Sequence, residues 1–239
     1  TESLMQISGG DARKLLNIFE LVVSSVDTKE IIITNDLVVE KAQQNIVRYD
    51  KNGEQHYDII SAFIKSIRGS DPNAAVYWLA RMIEGGEDVK FIARRLLVLA
   101  SEDIGNANPT ALVIANNCFQ AINVIGFPEA RITLSQAVIY LACSAKSNSA
   151  YMAINEAQEE VKSSGNLSVP LHLRNAPTKL MKELGYGKEY QYSHNKPTDT
   201  QEFLPTEISG NTFYKPLNNS KENAFREELK NLWKGKYNY

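Results

Sequence analysis

Apolar residues recur every three or four positions along most of this chain, which is the spacing of amphipathic helices. The pattern predicts helices over about residues 11–23, 36–43, 56–68, 72–84, 88–99, 109–125, 128–141, 147–161, 177–184 and 223–233. A β-branched run at residues 31–34 fits either a short strand or the entry to the second helix, with Asn35 as its N-cap. Connections in the middle of the chain are short, so consecutive helices there are expected to pack antiparallel.

Residues that favour helix starts and stops mark the boundaries. Asp71 before Pro72, and Asn108 before Pro109, each combine a capping side chain with a proline that suits the first helical turn. Glycine readily ends a helix because it adopts the left-handed backbone conformation without strain. The glycines predicted to end helices are Gly69, Gly85, Gly86, Gly126 and Gly185.

The amino-acid composition of the sequence changes after Gly165. Five of the eight prolines lie beyond that residue, which argues against long helices there. We therefore predict an all-α protein in three parts. These are residues 1–45, a multi-helix domain at 46–165, and an irregular C-terminal arm at 166–239 whose short helices pack on that domain.

The composition is that of a globular protein without a global affinity for nucleic acid. With 43% hydrophobic residues, the 239-residue chain can bury a core, which excludes a largely disordered protein. The net charge of −2 provides no basic field, so a nucleic-acid contact needs a local patch. No apolar run is long enough to span a membrane. Cys118 and Cys143 fit neither a zinc site nor a disulfide framework, and we predict buried free thiols in a reducing cytoplasm.

No self-contained active site is evident in the sequence, which has no phosphate loop, dinucleotide fingerprint, H-E-x-x-H or nucleophile motif. Glu102 and Asp103, in the segment 101–109, could act as an acid–base pair or as metal ligands. They could equally lie at a solvated helix end or form ion pairs with Arg94 and Arg95. We predict no catalytic residue and no metal ligand in this chain.

The segment Ile7–Arg13 places a cation at a helix start. Two glycines allow a tight turn, Asp11 can cap the helix, and Arg13 falls in the first turn, where the helix dipole disfavours positive charge. A phosphate would compensate, because a guanidinium and free backbone N–H groups both bind it. The alternative is a solvated arginine in a well-capped helix.

Cations and aromatic rings are mixed in residues 172–192. Arg174, Lys179, Lys182 and Lys188 are candidate phosphate partners, and the neighbouring tyrosines suit stacking on single-stranded bases. The same residue types also suit a packed, hydrogen-bonded arm that crosses a helical bundle.

Six strings in order along nearly the whole chain carry a resemblance to a known family. They are SGGDAR at 8–13, YDIISA at 57–62, IRGS at 67–70, ASEDIGNA at 100–107, QAVIYLA at 136–142 and HLRNAPTKLMKE at 172–183. The sequence resembles the C-terminal portion of the replication-associated recombination protein A (MgsA) family, AAA+ ATPases related to clamp loaders. The last string is the most specific of the six.

The resemblance implies an ATPase core, a small helical lid, and a C-terminal helical domain that assembles subunits into tetramers. Residues 1–45 would be the end of the lid, and residues 46–165 an oligomerisation domain like a clamp-loader collar. Family members are DNA-stimulated ATPases at stalled or damaged replication forks. The implied partners are three further copies of the chain, forked or junction DNA, and single-stranded-DNA-binding protein, in the bacterial cytoplasm near the nucleoid.

By the same resemblance, Arg13 is the sensor-2 arginine, which contacts the terminal phosphate of ATP. ATP and Mg²⁺ would be held by a phosphate loop, Walker B acids and an arginine finger, which we expect upstream of Thr1 in a longer polypeptide. Because these groups perform phosphoryl transfer, this chain alone is not expected to hydrolyse ATP.

Three hypotheses follow. The first is an oligomerisation module of a DNA-dependent AAA+ ATPase that acts in replication-fork maintenance, recombination and DNA repair. The second is a DNA-contacting module that uses the basic segment 172–188. The third is a stand-alone helical enzyme that uses Glu102 and Asp103.

Overall fold

The computed structural model describes residues 2–8, 12–26, 32–46, 54–194 and 201–239. Within these ranges the protein is all-α, with eleven α-helices and no strand, which confirms the predicted fold class. Across the same residues, the helices are too short or too polar to cross a membrane.

The helices are numbered in chain order. They are α1 (Glu2–Ser8), α2 (Ala12–Ser24), α3 (Asn35–Ile46), α4 (Glu54–Arg68), α5 (Pro72–Glu84), α6 (Val89–Leu99), α7 (Thr110–Ile125), α8 (Ala130–Cys143), α9 (Ser149–Ser164), α10 (Lys179–Glu183) and α11 (Ser220–Trp233). A π-helical turn (Ala100–Ile104) and a 3-10 turn (Gly105–Ala107) follow α6 directly.

The chain divides into two compact units that interleave in sequence. One unit comprises Thr1–Arg95 and Gln120–Ala142, and the other comprises Leu96–Phe119 and Cys143–Tyr239. The first contains α1 to α5, the second contains α9 to α11, and α6, α7 and α8 each contribute residues to both. The sequence boundaries near residues 45 and 165 stay a prediction.

In the first unit, α1, α2 and α3 meet around a small apolar cluster of Leu4, Val22 and Val38. Helices α4 and α5 pack on each other. Asp71 caps α5 as predicted, since one carboxylate oxygen accepts the backbone N–H groups of Asn73 (3.0 Å) and Ala74 (2.9 Å).

Glycine performs the predicted termination at several helix ends. Gly86, with φ +75°, follows α5, and the backbone N–H of Glu87 reaches back to the carbonyl of Met82 at 3.0 Å. Gly126 follows α7 with φ +72°. These left-handed residues close the last helical turn with hydrogen bonds that would otherwise be missing.

The N-cap predicted for α3 is wrong by one residue. Residues 32–34 lead into α3, which is one of the two alternatives for this run, and Thr34 rather than Asn35 caps the helix, because the Thr34 hydroxyl accepts the backbone N–H of Leu37 at 3.1 Å. Helix α4 ends at Arg68, directly before the predicted stop Gly69, and the left-handed residue that follows is Ser70 with φ +61°. Backbone N–H groups of Ser70 and Asp71 bond back to α4 and complete that turn.

Two further predictions need correction in the second unit. Helix α11 begins at Ser220, three residues before the predicted start, because the side chain of Asn219 caps it. Cys118 is buried as predicted, and burial raises the pKa of its thiol to about 11. Cys143 is exposed instead, since it lies at the last residue of α8 rather than on its buried face.

Candidate functional site

Arg13 lies in the first turn of α2, which is where the sequence predicts it. Its side chain is outside the part of the chain that the structure describes, and so are Gly9, Gly10 and Asp11. The contact of Arg13 with an ATP phosphate therefore stays a prediction.

Arg174 is engaged within its own chain. Its Nε donates to the backbone carbonyl of Val169 at 2.7 Å, and Nη1 donates to the Tyr186 hydroxyl at 3.2 Å. The guanidinium carbon also lies 5.1 Å from the centroid of the Tyr186 ring, within reach of a cation–π interaction. Arg174 thus fastens the segment before α10 to the segment after it.

The three lysines of the same segment are on the surface. The Lys179 side chain is 93% exposed and lies 4.0 Å from Glu183, at the outer limit of an ion pair. Lys182 and Lys188 are also exposed. The structure therefore separates the four predicted phosphate partners into one arginine with internal contacts and three lysines that face solvent.

The acidic pair of the segment 101–109 lies in the π-helical turn. Asp103 is buried and Glu102 is half-buried, and the Asp103 backbone carbonyl accepts the N–H of Ser147 at 2.8 Å. Gly105 comes so close to this loop that an added Cβ would lie 3.0 Å from the Ser147 carbonyl oxygen. Among the described residues no group of His, Cys, Asp and Glu is arranged to hold a metal ion. The motif thus packs against the loop that leads into α9.

A buried carboxylate that the sequence analysis missed lies beside this loop. Glu222 in α11 is fully buried and accepts hydrogen bonds from the hydroxyls of Ser147 (2.6 Å) and Ser149. It also accepts the Asn219 side-chain N–H (2.6 Å) and the Tyr214 hydroxyl (3.3 Å). We call Glu222 with these four partners the Glu222 cluster.

The charge of Glu222 is stabilised by these donors. Burial by itself raises the pKa of the carboxyl, but the hydrogen bonds from Ser147, Ser149 and Asn219 outweigh burial, so the pKa lies below its ordinary value. The pKa of Tyr214 is raised by burial and by the nearby negative charge of Glu222. The Glu222 cluster therefore joins α11, the segment before it and the start of α9 through an ionised group.

A second carboxylate fastens the C-terminal end. Glu202 accepts the backbone N–H groups of Phe203 and Leu204 at 2.8 and 2.9 Å, and the Lys236 ammonium at 3.0 Å. Burial opposes ionisation, but these bonds and one from Ser209 lower the pKa of Glu202 from 4.5 to about 2. Lys236 also lies over the rings of Trp233 and Tyr237, so the tail is held by charge and aromatic contacts together.

A sequence signal for Glu222 exists. Asn219-x-x-Glu222 matches the pattern of a capping box, in which an N-cap residue is followed three positions later by a glutamate. The backbone N–H of Glu222 does donate to the Asn219 side chain at 3.0 Å. The contacts of Glu222 with Ser147 and Ser149 span more than 70 residues, so local pattern alone could not indicate them.

In the described residues, helical segments are fastened to one another by polar contacts such as those of the Glu222 cluster. Comparison with known proteins defines the class of the domain. Residues 1–68 match the family model described as the AAA C-terminal domain, so this is the helical C-terminal region of an AAA+ ATPase. Residues 69–233 match the model described as MgsA AAA+ ATPase C terminal, and the chain belongs to that family. The two matches meet at the turn between α4 and α5.

Curated relatives support the same assignment. The replication-associated recombination protein A of Bacillus subtilis is 46% identical over 234 residues, which cover 95% of this chain and 55% of the relative. Proteins of the same name from Coxiella burnetii (43% over 231 residues) and Escherichia coli K12 (40% over 233 residues) each match 95% of this chain and 52% of their own length. The chain thus spans about half the length of these relatives, and the predicted family is confirmed.

Proposed function

We propose that this chain is the oligomerisation module of a DNA-dependent AAA+ ATPase that acts in replication-fork maintenance, recombination and DNA repair. The observation that carries the proposal is the match of residues 69–233 to the MgsA C-terminal family, together with relatives named for replication-associated recombination. Residues 1–45 are assigned to the end of the ATPase lid, residues 46–165 to the assembly domain and residues 166–239 to its arm.

Surface composition supports assembly into a homotetramer. The end of α7, the turn after it and the start of α8 expose four large apolar side chains, of which Val124 is the most exposed at 87%; the others are Ile125, Phe127 and Ile132. Exposed apolar patches on a soluble domain are typical of protein–protein interfaces. A closed, symmetric assembly of identical copies is the commonest way to cover such surfaces.

The solution mass of the chain tests assembly. Standard interfaces have dissociation constants from micromolar to picomolar, so at about 100 µM and moderate salt the chain should be oligomeric. Sedimentation equilibrium or light scattering should then give a mass of four chains. A monomer under these conditions would overturn the assembly proposal.

In the longer protein, ATP and Mg²⁺ would be bound by the ATPase core, and we infer that Arg13 contacts the terminal phosphate. A guanidinium stabilises phosphate charge only within hydrogen-bonding reach, so loss of Arg13 should slow hydrolysis. Arg13→Ala in the full-length protein is expected to lower the DNA-stimulated ATPase rate, whereas Lys14→Ala serves as the neighbouring control. Equal rates in the two variants would contradict a contact between Arg13 and the terminal phosphate of ATP.

Surface exposure favours a second candidate function, which is contact with forked or single-stranded DNA through Lys179, Lys182 and Lys188. Reversing all three charges should weaken DNA binding and reduce the slope of log affinity against log salt by about 2 on single-stranded DNA. Anisotropy titrations at several salt concentrations measure this slope. The matched control reverses three exposed lysines elsewhere, Lys65, Lys90 and Lys221.

DNA affinity and melting temperature together distinguish the role of Arg174 from that of the three lysines. Arg174→Ala should lower the melting temperature and change DNA affinity little, because its guanidinium bonds to Val169 and Tyr186. An unchanged salt slope in the lysine variant would overturn DNA contact by this segment. Single-stranded-DNA-binding protein is a further proposed partner, and pull-down with purified protein, free of DNA, tests it.

A further inference from the structure

Helices α9 and α11 dock on the second unit without a fully buried apolar side chain of their own. Ser149 is the buried residue of α9, Glu222 is the buried residue of α11, and the two side chains bond to each other. The large apolar residues Phe225 and Leu232 of α11 are 37% and 47% exposed. Burial of an apolar face normally supplies most of the stability of a helix in a protein. Docking of α11 therefore depends on the Glu222 cluster.

The C-terminal residues 201–237 are tied into a loop by contacts between their two ends. The Lys236 ammonium lies 3.0 Å from a carboxylate oxygen of Glu202, and the centroids of the Phe203 and Trp233 rings lie 6.0 Å apart. These contacts are internal to the segment, so they persist when the segment separates from the rest of the chain. We call residues 201–237 the C-terminal clasp.

The clasp bonds to the rest of the second unit through polar groups spread along its length. The bonded pairs are Gln201 with Gln191, Glu202 with His172, Asn211 with Glu160, Lys215 with Glu156, and Glu222 with Ser147 and Ser149. Exposed polar pairs contribute little, because water competes for the same groups, and the Lys215 side chain is 63% exposed. The fully buried Glu222 is therefore the principal anchor of the clasp.

Packing between the clasp and α9 is also incomplete. A cavity of about 450 Å³ lies between them, lined by Glu156, Glu159, Glu160 and Ser163 of α9 and by residues 211–213 of the clasp. Three carboxylates make this lining polar, and a polar cavity of such a size admits several water molecules. Solvent therefore already reaches part of the contact that holds the clasp in place.

We propose that the C-terminal clasp is a conformational switch, which undocks as one unit from α9 and from the loop before it while the rest of the second unit stays folded. Segments that open locally in folded proteins have few buried apolar contacts and many solvent-exposed hydrogen bonds. The clasp has both properties, and the contacts between its ends make it move as a unit. The inference goes beyond assembly and DNA contact and depends on neither.

Undocking changes what the rest of the second unit presents to solvent. It uncovers Ser147 and Ser149, which are 2% and 3% exposed when Glu222 is bound to them. It also frees the turn Gly105–Ala107, which α11 contacts in the docked state. The string at residues 100–107, one of the six shared with the family, thus lies at the surface that the clasp covers.

Native-state hydrogen exchange in urea below the unfolding transition tests whether the clasp opens alone. Amides of α11 should exchange through one shared opening, at lower urea than amides of α7 around the buried Cys118. Glu222→Gln removes charged hydrogen bonds, so it should accelerate exchange in α11 by about 10- to 100-fold and leave α7 unchanged. Glu227→Gln, exposed on α11, is the control and should change neither helix.

A covalent link across the contact tests the same motion in the opposite direction. In a Cys143→Ser background, which removes the exposed native thiol, Glu156→Cys and Lys215→Cys can be joined by a short bismaleimide. The link ties the clasp to α9, so exchange in α11 should slow by about tenfold or more relative to the same variant before linking. Glu159→Cys joined to Lys162→Cys, both on α9, is the control and should leave α11 unchanged.

The outcomes decide between a switch and a fixed part of the domain. Faster exchange in α11 of Glu222→Gln and slower exchange after the link between positions 156 and 215, with α7 unchanged in both, support the clasp. Exchange in α11 that coincides with global unfolding at every urea concentration overturns it, and so does equal acceleration in α7. A link between positions 156 and 215 that leaves α11 unchanged also overturns it, even where Glu222→Gln fails to fold.

Discussion

Helices α8 and α9 follow one another in the chain and are similar in length, yet they are held in opposite ways. Helix α8 buries six residues, all of them apolar: Ala130, Leu134, Ala137, Val138, Leu141 and Ala142. Helix α9 buries Ser149 and is otherwise anchored by carboxylates that bond to the C-terminal segment 211–222. The first is fixed by packing of its apolar face, and the second by hydrogen bonds and ion pairs on its polar face.

The two kinds of contact differ in which face of the helix they leave exposed. A helix that is held by apolar burial packs its hydrophobic face against its own core, so that face is not available to a partner. A helix held by polar contacts leaves its apolar face exposed and available to a partner. Its anchors then depend on the ionisation of carboxylates. The comparison therefore predicts that damage to α8 affects the stability of the whole chain, whereas damage to the anchors of α9 affects one region.

The largest effect is expected from Leu134→Ala in α8. Leu134 is fully buried, and removal of its side chain loses transfer free energy and leaves a cavity, which costs about 4 kcal/mol. Urea unfolding followed by circular dichroism measures the change. Ile139→Ala, exposed on the same helix, should stay within about 0.5 kcal/mol of the unaltered chain. Equal losses in both variants would contradict packing as the anchor of α8.

The next effect is expected from Glu222→Gln, which keeps the shape of the side chain and removes its charge. The amide directs N–H groups at donors such as Ser147 and Asn219, so buried hydrogen bonds are lost at a cost of about 2 to 3 kcal/mol. Hydrogen exchange should accelerate in α11 and at the start of α9, with smaller changes in α8. Glu227→Gln, exposed in α11, is the control, and a uniform rise in exchange across the chain would contradict a local anchor.

Local signals predicted the helices well and their anchors poorly. Asp71 before Pro72, and glycines such as Gly86, act on neighbouring backbone groups, so their effect is visible in a short stretch of sequence. The burial of Glu222 depends on Ser147 and Ser149, which lie more than 70 residues away in the chain. Arg174 shows the same limit, because its residue type fits a phosphate as well as it fits the Val169 carbonyl and the Tyr186 ring.

The polar anchors should also make the C-terminal region sensitive to acid. The pKa of Glu202 is about 2 in the folded chain against an ordinary 4.5, so its ionised form stabilises the fold above pH 4.5. That stabilisation declines as the pH falls from 4.5 toward 2, as protonation weakens the contacts with Lys236 and the backbone. The difference in stability between the unaltered chain and Glu202→Gln should therefore shrink over this range. Urea unfolding at each pH measures this difference. A difference that is constant from pH 6 to pH 3 would contradict stabilisation of the fold by ionised Glu202.

The smallest effect is expected from Lys215→Ala, which removes the ion pair of α9 with Glu156. The lysine side chain is 63% exposed, so solvent screens the pair and its loss should cost between about 0.2 and 1 kcal/mol. The Glu156–Lys215 pair nonetheless joins α9 to the segment before α11, so backbone hydrogen exchange around Lys215 should accelerate more than the global stability falls. Lys162→Ala, exposed on α9, removes a similar charge without touching that ion pair. Equal hydrogen exchange around residue 215 in Lys215→Ala and Lys162→Ala would contradict the ion pair as an anchor of α9.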